Sequence, residues 1–376
     1  MADGPIASLL ESHRVIVTCG AGGVGKTTTA AALGVAAARR GKRVLVLTID
    51  PARRLAQAMG LSELDNTPRP VVGVDGDGSL SAMMLDMKRT FDEVVESHSD
   101  ADRAQAILDN PFYQALSSSF AGTQEYMAME KLGQLRTEAD RDGTWDLIVV
   151  DTPPSRSALD FLDAPDRLGT FLDGRFIKIL TAPARGAGRG LGKLLGAGLG
   201  LFSGVLTKIL GAQLLTDLAA FVGAVDTMFG GFRERAEATY ALLKDPGTSF
   251  VVVAAPERDS LREASYFVDR LEQDGMPLAG LVLNRVQEIR APELSVEEAT
   301  AGVQRLQTED PRVAALLRLH ADRLRNGERQ ARLARRFTAA HPGVPVTEVY
   351  ALAEDVHDLE GLREVGTLLA SSSSTP

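Results

Sequence analysis

The feature that most constrains this chain is a glycine-rich loop between a β-branched run and an alanine-rich run. Residues 20–27 read GAGGVGKT and fit the pattern G-x-x-x-x-G-K-[ST]. In such a loop, tight glycine turns point backbone N–H groups at phosphate oxygens, and the following helix presents its N-terminus to the same anion. Lys26 is expected to reach the β- and γ-phosphates, and the Thr27 hydroxyl to bind Mg²⁺. The predicted nucleotide-binding residues here are Gly20, Gly22, Gly23, Val24, Gly25, Lys26, Thr27 and Thr28.

The alternative is a chance glycine loop, which the flanking strand and helix patterns disfavour. We therefore predict a Mg-ATP site and an ATP-hydrolysing enzyme, with ATP and Mg²⁺ as its cofactors.

Short continuous runs of Val, Ile and Leu predict strands of a parallel sheet that is covered on both faces. An alanine-rich segment over residues 27–40 predicts a helix that ends at Gly41. This order indicates an α/β fold with a doubly wound, mainly parallel sheet. The six predicted strands lie at residues 14–19, 43–49, 147–150, 250–254, 280–283 and 344–349.

Two stretches without strand patterns predict an α-helical subdomain inserted into this P-loop core. The core is expected to continue through the segment around Asp151 and then through a second part after the helical insertion. The predicted boundaries are 1–87, 139–158 and 244–370 for the core, 88–138 and 159–243 for the helical subdomain, and 371–376 for a disordered tail.

Composition excludes several classes of function. The 41 basic and 50 acidic residues give a net charge of −9, which argues against general nucleic-acid binding. Cys19 is the single cysteine, so neither an internal disulfide nor a thiolate metal cluster can form within one chain. The N-terminus lacks the pattern of a signal peptide, and a cytoplasmic location is expected, with membrane association left open.

Two aspartates follow predicted strands and are candidates for chemistry. Asp151 ends the run at residues 147–150 and suits the second sphere or the ligand shell of magnesium, although it also fits an ordinary strand-end cap. Asp50 ends the second run, where a carboxylate is placed to orient the attacking water. A helix N-cap with Pro51 at the first helical position explains Asp50 equally well.

Taken together, these motifs resemble the ArsA family, which includes arsenite-pump ATPases and ATPases that target tail-anchored membrane proteins. The resemblance extends from about residue 15 to 365 and is nearest to bacterial, actinobacterial-type members, which are often encoded as two related subunits. The segments that carry it are the glycine loop and residues 48–52, 117–119, 151–154, 254–263 and 281–285.

The resemblance implies further roles for individual residues. Asp50 takes the position of the water-activating aspartate, and Asn284 that of the asparagine that reads the adenine edge. Glu257 matches a residue that contacts nucleotide across a dimer interface, although a solvated glutamate at a helix start is the alternative. The segment 351–357 matches the loop that covers adenine. Its candidate contacts are Ala353 and Asp355.

The sequence departs from the family pattern at two points. The family places a lysine at the second position of the glycine loop, from where it reaches the phosphates of the partner subunit, but this chain has Ala21. The cysteines that bind zinc or arsenite in other members are also absent. Arsenite coordination and a cysteine clasp between subunits are therefore not carried over.

A glycine-rich apolar stretch at residues 186–232 lies within the predicted helical subdomain. Six basic residues and no acidic one occur from Arg175 to Lys208, in an otherwise acidic protein. Three interpretations remain open: a lid or groove for apolar client segments, a surface that lies on anionic membrane, or buried close-packed helices.

These observations predict a dimeric ATPase switch that couples ATP hydrolysis to the handling of an apolar client or a membrane-associated partner. The alternative is a weakly catalytic, nucleotide-binding regulatory subunit of a heterodimer with a lysine-bearing paralogue. A small-molecule phosphotransferase is a third reading, but the sequence has no acceptor signature.

Overall fold

The computed structural model describes residues 5–49, 54–111, 113–114, 123–153 and 234–371. Several segments singled out by the sequence lie outside these described residues: Asp50, residues 117–119, the glycine-rich stretch 186–232 and the end of the tail at 372–376.

The described strands form one eight-stranded sheet with the order β3-β4-β2-β5-β1-β6-β7-β8. The pairing of β3 with β4 is antiparallel, and the other neighbours are parallel. The strands are β1 (Val15–Gly20), β2 (Arg43–Thr48), β3 (Arg69–Pro70), β4 (Ser79–Met84), β5 (Leu147–Asp151), β6 (Thr248–Ala254), β7 (Leu278–Val286) and β8 (Val346–Tyr350).

Helices flank the sheet and extend from it. They are α1 (Pro5–Ser12), α2 (Lys26–Ala38), α3 (Arg54–Ala58), α4 (Met87–His98), α5 (Ala101–Leu108), α6 (Thr123–Asp142), α7 (Arg258–Gln273), α8 (Val296–Leu306), α9 (Pro311–Ala340) and α10 (Leu359–Ser371). Residues 234–243 are also helical.

All six predicted strands are confirmed, and the predicted α/β class with a mainly parallel sheet is correct. The structure adds β3 and β4, which the sequence pattern did not reveal. Strand β4 reads SLSAMM and contains no β-branched residue, so it lacks the composition that marks a strand. It is nevertheless parallel to β2 along its whole length, from Arg43 opposite Ser79 to Thr48 opposite Met84.

Helix α2 is buried on nearly all sides because alanine allows close packing. It packs against the sheet and against α10, and most of its residues are inaccessible to solvent. A side chain at Gly34 would meet Val46, and one at Gly366 of α10 would meet the backbone of Ala32. A helix that is apolar all round is typical of a central position in the fold.

The opposite face of the sheet is covered by α7. This helix packs against β1, β6 and β7 and buries Leu261, Phe267 and Leu271. Because successive side chains on a strand point to opposite faces, each central strand supplies apolar groups to both layers. The sheet is therefore covered by helices on both sides, as its continuous apolar runs predict.

The chain separates into two compact units. Among the described residues, the first comprises 5–49, 54–84, 138–153 and 243–371, and the second comprises 85–111, 113–114, 123–137 and 234–242. Within the second unit the carboxylate of Glu130 is buried and accepts a hydrogen bond from Arg235 at 2.9 Å. None of the helices in the described ranges has the length and hydropathy needed to cross a bilayer.

Candidate functional site: a nucleotide pocket at the carboxyl edge of the sheet

The glycine loop connects β1 directly to α2. Gly20 has a φ of +143°, and a side chain there would collide with the carbonyl oxygen of Val253 on the neighbouring strand. Gly25 has a φ of +94°, and a side chain there would collide with the amide of Asn284. Only glycine fits either position, because other residues are strained at positive φ and the space is already occupied.

The N-terminus of α2 is suited to an anion. Gly25 occupies the cap position and provides no side-chain hydrogen bond, and the first turn contains no acidic residue. The first N–H groups of a helix have no partner within the helix, and the helix dipole favours negative charge at this end. A phosphate group fits this position.

Three side chains donate hydrogen bonds to backbone carbonyls of the loop. One comes from the first residue of α2, and two come from the end of β7. These bonds fix the path of the loop without using its N–H groups. The pairs are Lys26 Nζ to Ala21 O at 2.8 Å, Asn284 Nδ2 to Val24 O at 2.8 Å and Arg285 Nη1 to Gly23 O at 3.2 Å.

The loop forms one end of a cavity of about 960 Å³, a size suited to a nucleotide. The cavity continues past α3 and the end of β7 to the segment after β8. It brings together eight of the predicted site residues: Gly22, Gly23, Gly25, Lys26, Thr27, Thr28, Asn284 and Asp355.

Charge is distributed unevenly along this cavity. Lys26 and Arg285 lie at the loop end, whereas Glu354 and Asp355 line the segment after β8. A triphosphate is attracted to the loop end and repelled by the acidic end, so the base is expected to face the segment after β8. His357 lies in that segment, and a backbone hydrogen bond to Asp355 together with the nearby Asp358 raises the pKa of its imidazole.

Asp151 is fully buried at the carboxyl end of β5, next to β1. The hydroxyl of Thr48 donates to its Oδ2 at 3.0 Å. Its backbone carbonyl accepts from the amide of Ile49 at 2.9 Å, so the end of β2 and the residue that follows it hold both the side chain and the main chain of Asp151. On the other side, Thr152 donates to the carbonyl of Thr18 at 2.7 Å.

The oxygen groups near the loop fit magnesium. Thr27 lines the cavity, whereas Asp151 does not line it but ends the strand beside β1, from which the loop leaves. Mg²⁺ prefers oxygen ligands and is usually held by one or two protein groups together with substrate phosphates. Thr27 and Asp151 would hold the ion.

Four other predicted site residues do not line the cavity. Gly20 and Val24 shape the loop, and Val24 contributes its carbonyl to the bond with Asn284. Ala353 is not among the residues that line the cavity, although its neighbours Leu352 and Glu354 are. Glu257 is an exposed cap residue of α7 and also does not line the cavity. Its proposed contact across a dimer remains a prediction.

Asp50, the predicted water-activating residue, lies outside the described residues. The structure shows that β2 ends at Thr48, on the strand next to Asp151. The choice between a catalytic role and a helix cap therefore stays a prediction.

Sequence reasoning missed Thr48 and Arg285 as contributors to the site. Thr48 is the one hydroxyl-bearing residue in the apolar strand RVLVLT, which is a usable signal. Arg285 has a φ of +62°, a conformation that non-glycine residues adopt rarely and that often marks functional positions. A backbone angle of this kind cannot be read from the sequence.

Cys19 lies directly before the loop and is fully buried. Burial raises the pKa of its thiol to about 12, so the thiol stays neutral near physiological pH. Its role is packing, because the thiolate is the reactive form of cysteine.

Comparison with known proteins identifies relatives of the chain. Residues 13–308 match the family described as anion-transporting ATPase, ArsA_ATPase. Two similar curated proteins, both named ATPase GET3, are each 29% identical to it. The protein from Malassezia globosa aligns over 277 residues, 73% of this chain and 73% of its own length. The protein from Candida glabrata aligns over 294 residues, 75% of both chains.

We expect Thr48→Val to weaken the magnesium site because it removes the hydroxyl that orients the Asp151 carboxylate. A hydrogen bond to a charged group contributes about 1.5–3 kcal/mol, so we expect a loss of unfolding free energy of that order. The Mg²⁺ concentration for half-maximal ATPase activity should rise several-fold. Thr347→Val, a buried threonine of β8, is the matched control. An unchanged magnesium dependence would show that Thr48 only packs.

We expect Asn284→Ala to separate two roles of this amide. If Asn284 reads adenine, the variant loses ATP affinity at least tenfold but keeps its affinity for inorganic tripolyphosphate. If its main role is the bond to Val24, both affinities fall together because the loop is disturbed. Isothermal titration calorimetry with both ligands decides, and Lys26→Ala, which should weaken both, is the reference.

Proposed function

The chain belongs to the ArsA family of anion-transporting ATPases and hydrolyses ATP, and from that premise we propose that it is a dimeric Mg-ATP switch. In this proposal, hydrolysis is coupled to the handling of an apolar client or a membrane-associated partner. ATP closes two subunits on each other, hydrolysis opens them, and the helical unit changes shape with the nucleotide state.

The observation that best supports a switch is the path of the chain after Asp151. The segment that follows Asp151 is described as far as Pro153. The start of this connection is fixed, because both the amide and the hydroxyl of Thr152 donate to the carbonyl of Thr18 on β1. A change at the Asp151 carboxylate would therefore be passed directly to the main chain at Thr152.

The residues of this chain would share the chemistry as follows. Lys26 and the N-terminal N–H groups of α2 bind the phosphates, and Asn284 with the segment after β8 binds the base. Thr27 and Asp151 would hold Mg²⁺, which when bound neutralises charge on the β- and γ-phosphates. Asp50 orients the water that attacks the γ-phosphorus, and ADP and inorganic phosphate leave.

The proposal of an apolar client rests on the family resemblance and on the composition of the 186–232 stretch, which lies outside the described residues. Several methionines in the described part of the chain are core residues. Met83, Met127 and Met129 are almost fully buried and act as core residues.

The alternative function is a weakly catalytic regulatory subunit that pairs with a lysine-bearing paralogue. The observation that favours it is Ala21. Its side chain is only 9% exposed and belongs to the hydrophobic core cluster, and its carbonyl accepts the bond from Lys26. This position therefore supplies no cation to a partner subunit.

Asp50→Asn tests the catalytic core of the proposal. The amide removes the negative charge and basicity of the carboxylate that positions water but leaves the phosphate contacts, so we expect normal ATP affinity and turnover at least tenfold slower. Single-turnover hydrolysis and calorimetry measure the two quantities separately, with Asp77→Asn, an exposed aspartate, as the control. Reduced affinity with full turnover would identify Asp50 as a helix cap.

Ala21→Lys tests whether the absence of a lysine at position 21 limits the rate of ATP hydrolysis. A cation supplied from a partner subunit increases the rate of phosphoryl transfer by roughly 10³–10⁵ in arginine-finger systems. The unmodified chain should hydrolyse ATP slowly on its own, and Ala21→Lys should accelerate it more than tenfold, whereas Ala21→Gln, similar in length but uncharged, should not. Equal rates for the two variants, at unchanged ATP affinity, would contradict the idea.

A mixing experiment distinguishes the homodimer from the heterodimer. Adding a lysine-bearing paralogue should stimulate hydrolysis in the site of this chain, because that site receives the lysine of the paralogue. Lys26→Ala should then remove most of the stimulated activity, and the matching substitution in the paralogue much less. If this chain alone is as fast as the mixture, the regulatory-subunit alternative fails.

A further inference from the structure

Helix α9 is strongly basic in an acidic protein. It carries eight arginines and two acidic residues, Asp322 and Glu328, whereas the net charge of the whole chain is −9. All eight arginines are exposed. The nucleotide pocket uses none of them.

Most of these arginines have no acidic partner within the part of the chain that the structure describes. Arg325 pairs with Asp322 at 3.0 Å, and Arg329 donates to the side chain of Asn326. In the described residues, no ion pair involves the remaining six, which are Arg312, Arg318, Arg323, Arg332, Arg335 and Arg336.

An apolar groove lies beside this charge. Leu316 and Leu319 of α9 are 66% and 49% exposed, and Ile289 on the segment before α8 is 39% exposed. Between the helix and this segment is a cavity of about 170 Å³, and its walls also include Arg323 and the ion pair between Arg290 and Glu288. Its volume suits one or two aliphatic side chains. We call this feature the α9 groove.

The groove is not required for the packing of the helix. The opposite face of α9 buries Ala314 and Ala321, and the helix packs against α8 and α7, whereas Leu324 lines the groove. Gly327 allows Ile289 to approach the helix closely, since a side chain at this position would meet Ile289. The α9 groove is therefore formed by a stable scaffold and remains open to solvent.

The arrangement of side chains along the helix defines what would bind. Arg312, Leu316, Leu319 and Arg323 are spaced i, i+4, i+7 and i+11, so they form one stripe on the helix surface. At 1.5 Å per residue the stripe is about 16 Å long. Two leucines lie at its centre and a guanidinium group at each end.

We propose that the α9 groove is a docking site for an acidic amphipathic helix of a partner protein. Aliphatic side chains of that helix enter between Leu316, Leu319 and Ile289, and its carboxylates pair with Arg312 and Arg323. Arginine forms bidentate pairs with carboxylates, which favours a protein partner of this charge. The groove is recessed, so it accepts inserted side chains. A membrane surface would instead require protruding apolar groups that enter the bilayer.

The experiment uses the full-length protein and a fluorescently labelled synthetic peptide. The peptide is helical, with leucines at i, i+3 and i+7 and glutamates on both sides of this stripe. Fluorescence anisotropy measures its affinity at low and high salt. The control peptides are a scrambled sequence and one in which lysine replaces every glutamate.

Two pairs of variants locate the binding site. Leu316→Ser with Leu319→Ser removes the apolar centre, and Val72→Ser, another exposed apolar residue, is its control. Arg312→Glu with Arg323→Glu reverses the flanking charge, and Arg262→Glu on α7 is its control. All positions are exposed, so circular dichroism and ATPase activity should be unchanged.

We expect the acidic peptide to bind at least tenfold more tightly than either control peptide. Its binding should weaken as the salt concentration rises, and its affinity should fall at least tenfold in both groove variants.

Equal binding of the scrambled peptide, or binding unaffected by the groove variants, overturns the proposal. Two further outcomes also overturn it. In the first, the protein binds phosphatidylglycerol vesicles through Arg312 and Arg323 but does not bind the peptide. The other is self-association in analytical ultracentrifugation that the leucine substitutions abolish.

Discussion

The nucleotide pocket depends on how the carbonyl groups of one short loop are held. Peptide groups in a tight glycine turn have no regular secondary-structure partners, and buried carbonyl groups without partners are costly. Here an ammonium, an amide and a guanidinium group each hold one carbonyl, at Ala21, Val24 and Gly23. Two of these donors come from the end of β7, two strands away from β1 in the sheet. The shape of the phosphate site is therefore set by the sheet as a whole.

Much of the fold follows from the sequence because apolar periodicity and glycine position are local signals. Runs of Val, Ile and Leu predicted six strands. The alanine-rich run predicted helix α2, which begins after Gly25 and ends before Gly41. Strand β4 was missed because SLSAMM has no strand-like composition, and its state is imposed by pairing with β2. Tertiary context overrides propensity in such a segment.

The site was predictable where a motif fixes it and less so where it depends on distant residues. Most of the predicted loop residues line one cavity together with Asn284, as the motif and the resemblance imply. The bond from Asn284 to Val24, the support of Asp151 by Thr48 and the approach of Arg285 to Gly23 join residues more than 100 positions apart. A single sequence contains no direct signal for such pairs. Ala353 illustrates the limit, since an adenine-loop resemblance does not determine which residues of the loop face inward.

The packing of α10 against α2 has a consequence for how this enzyme can diverge. Helix α2 begins at the phosphate loop, and α10 begins directly after the segment that lines the other end of the pocket. The close contact at Gly366 and Ala32 leaves no room for larger side chains, so the spacing of the two helices is fixed. Larger side chains at the contact between these helices are expected to be destabilising, whereas the mostly exposed segment between β8 and α10 has room for replacements. A change in how the base is bound is therefore expected to come from the segment between β8 and α10, and not from the helix pair.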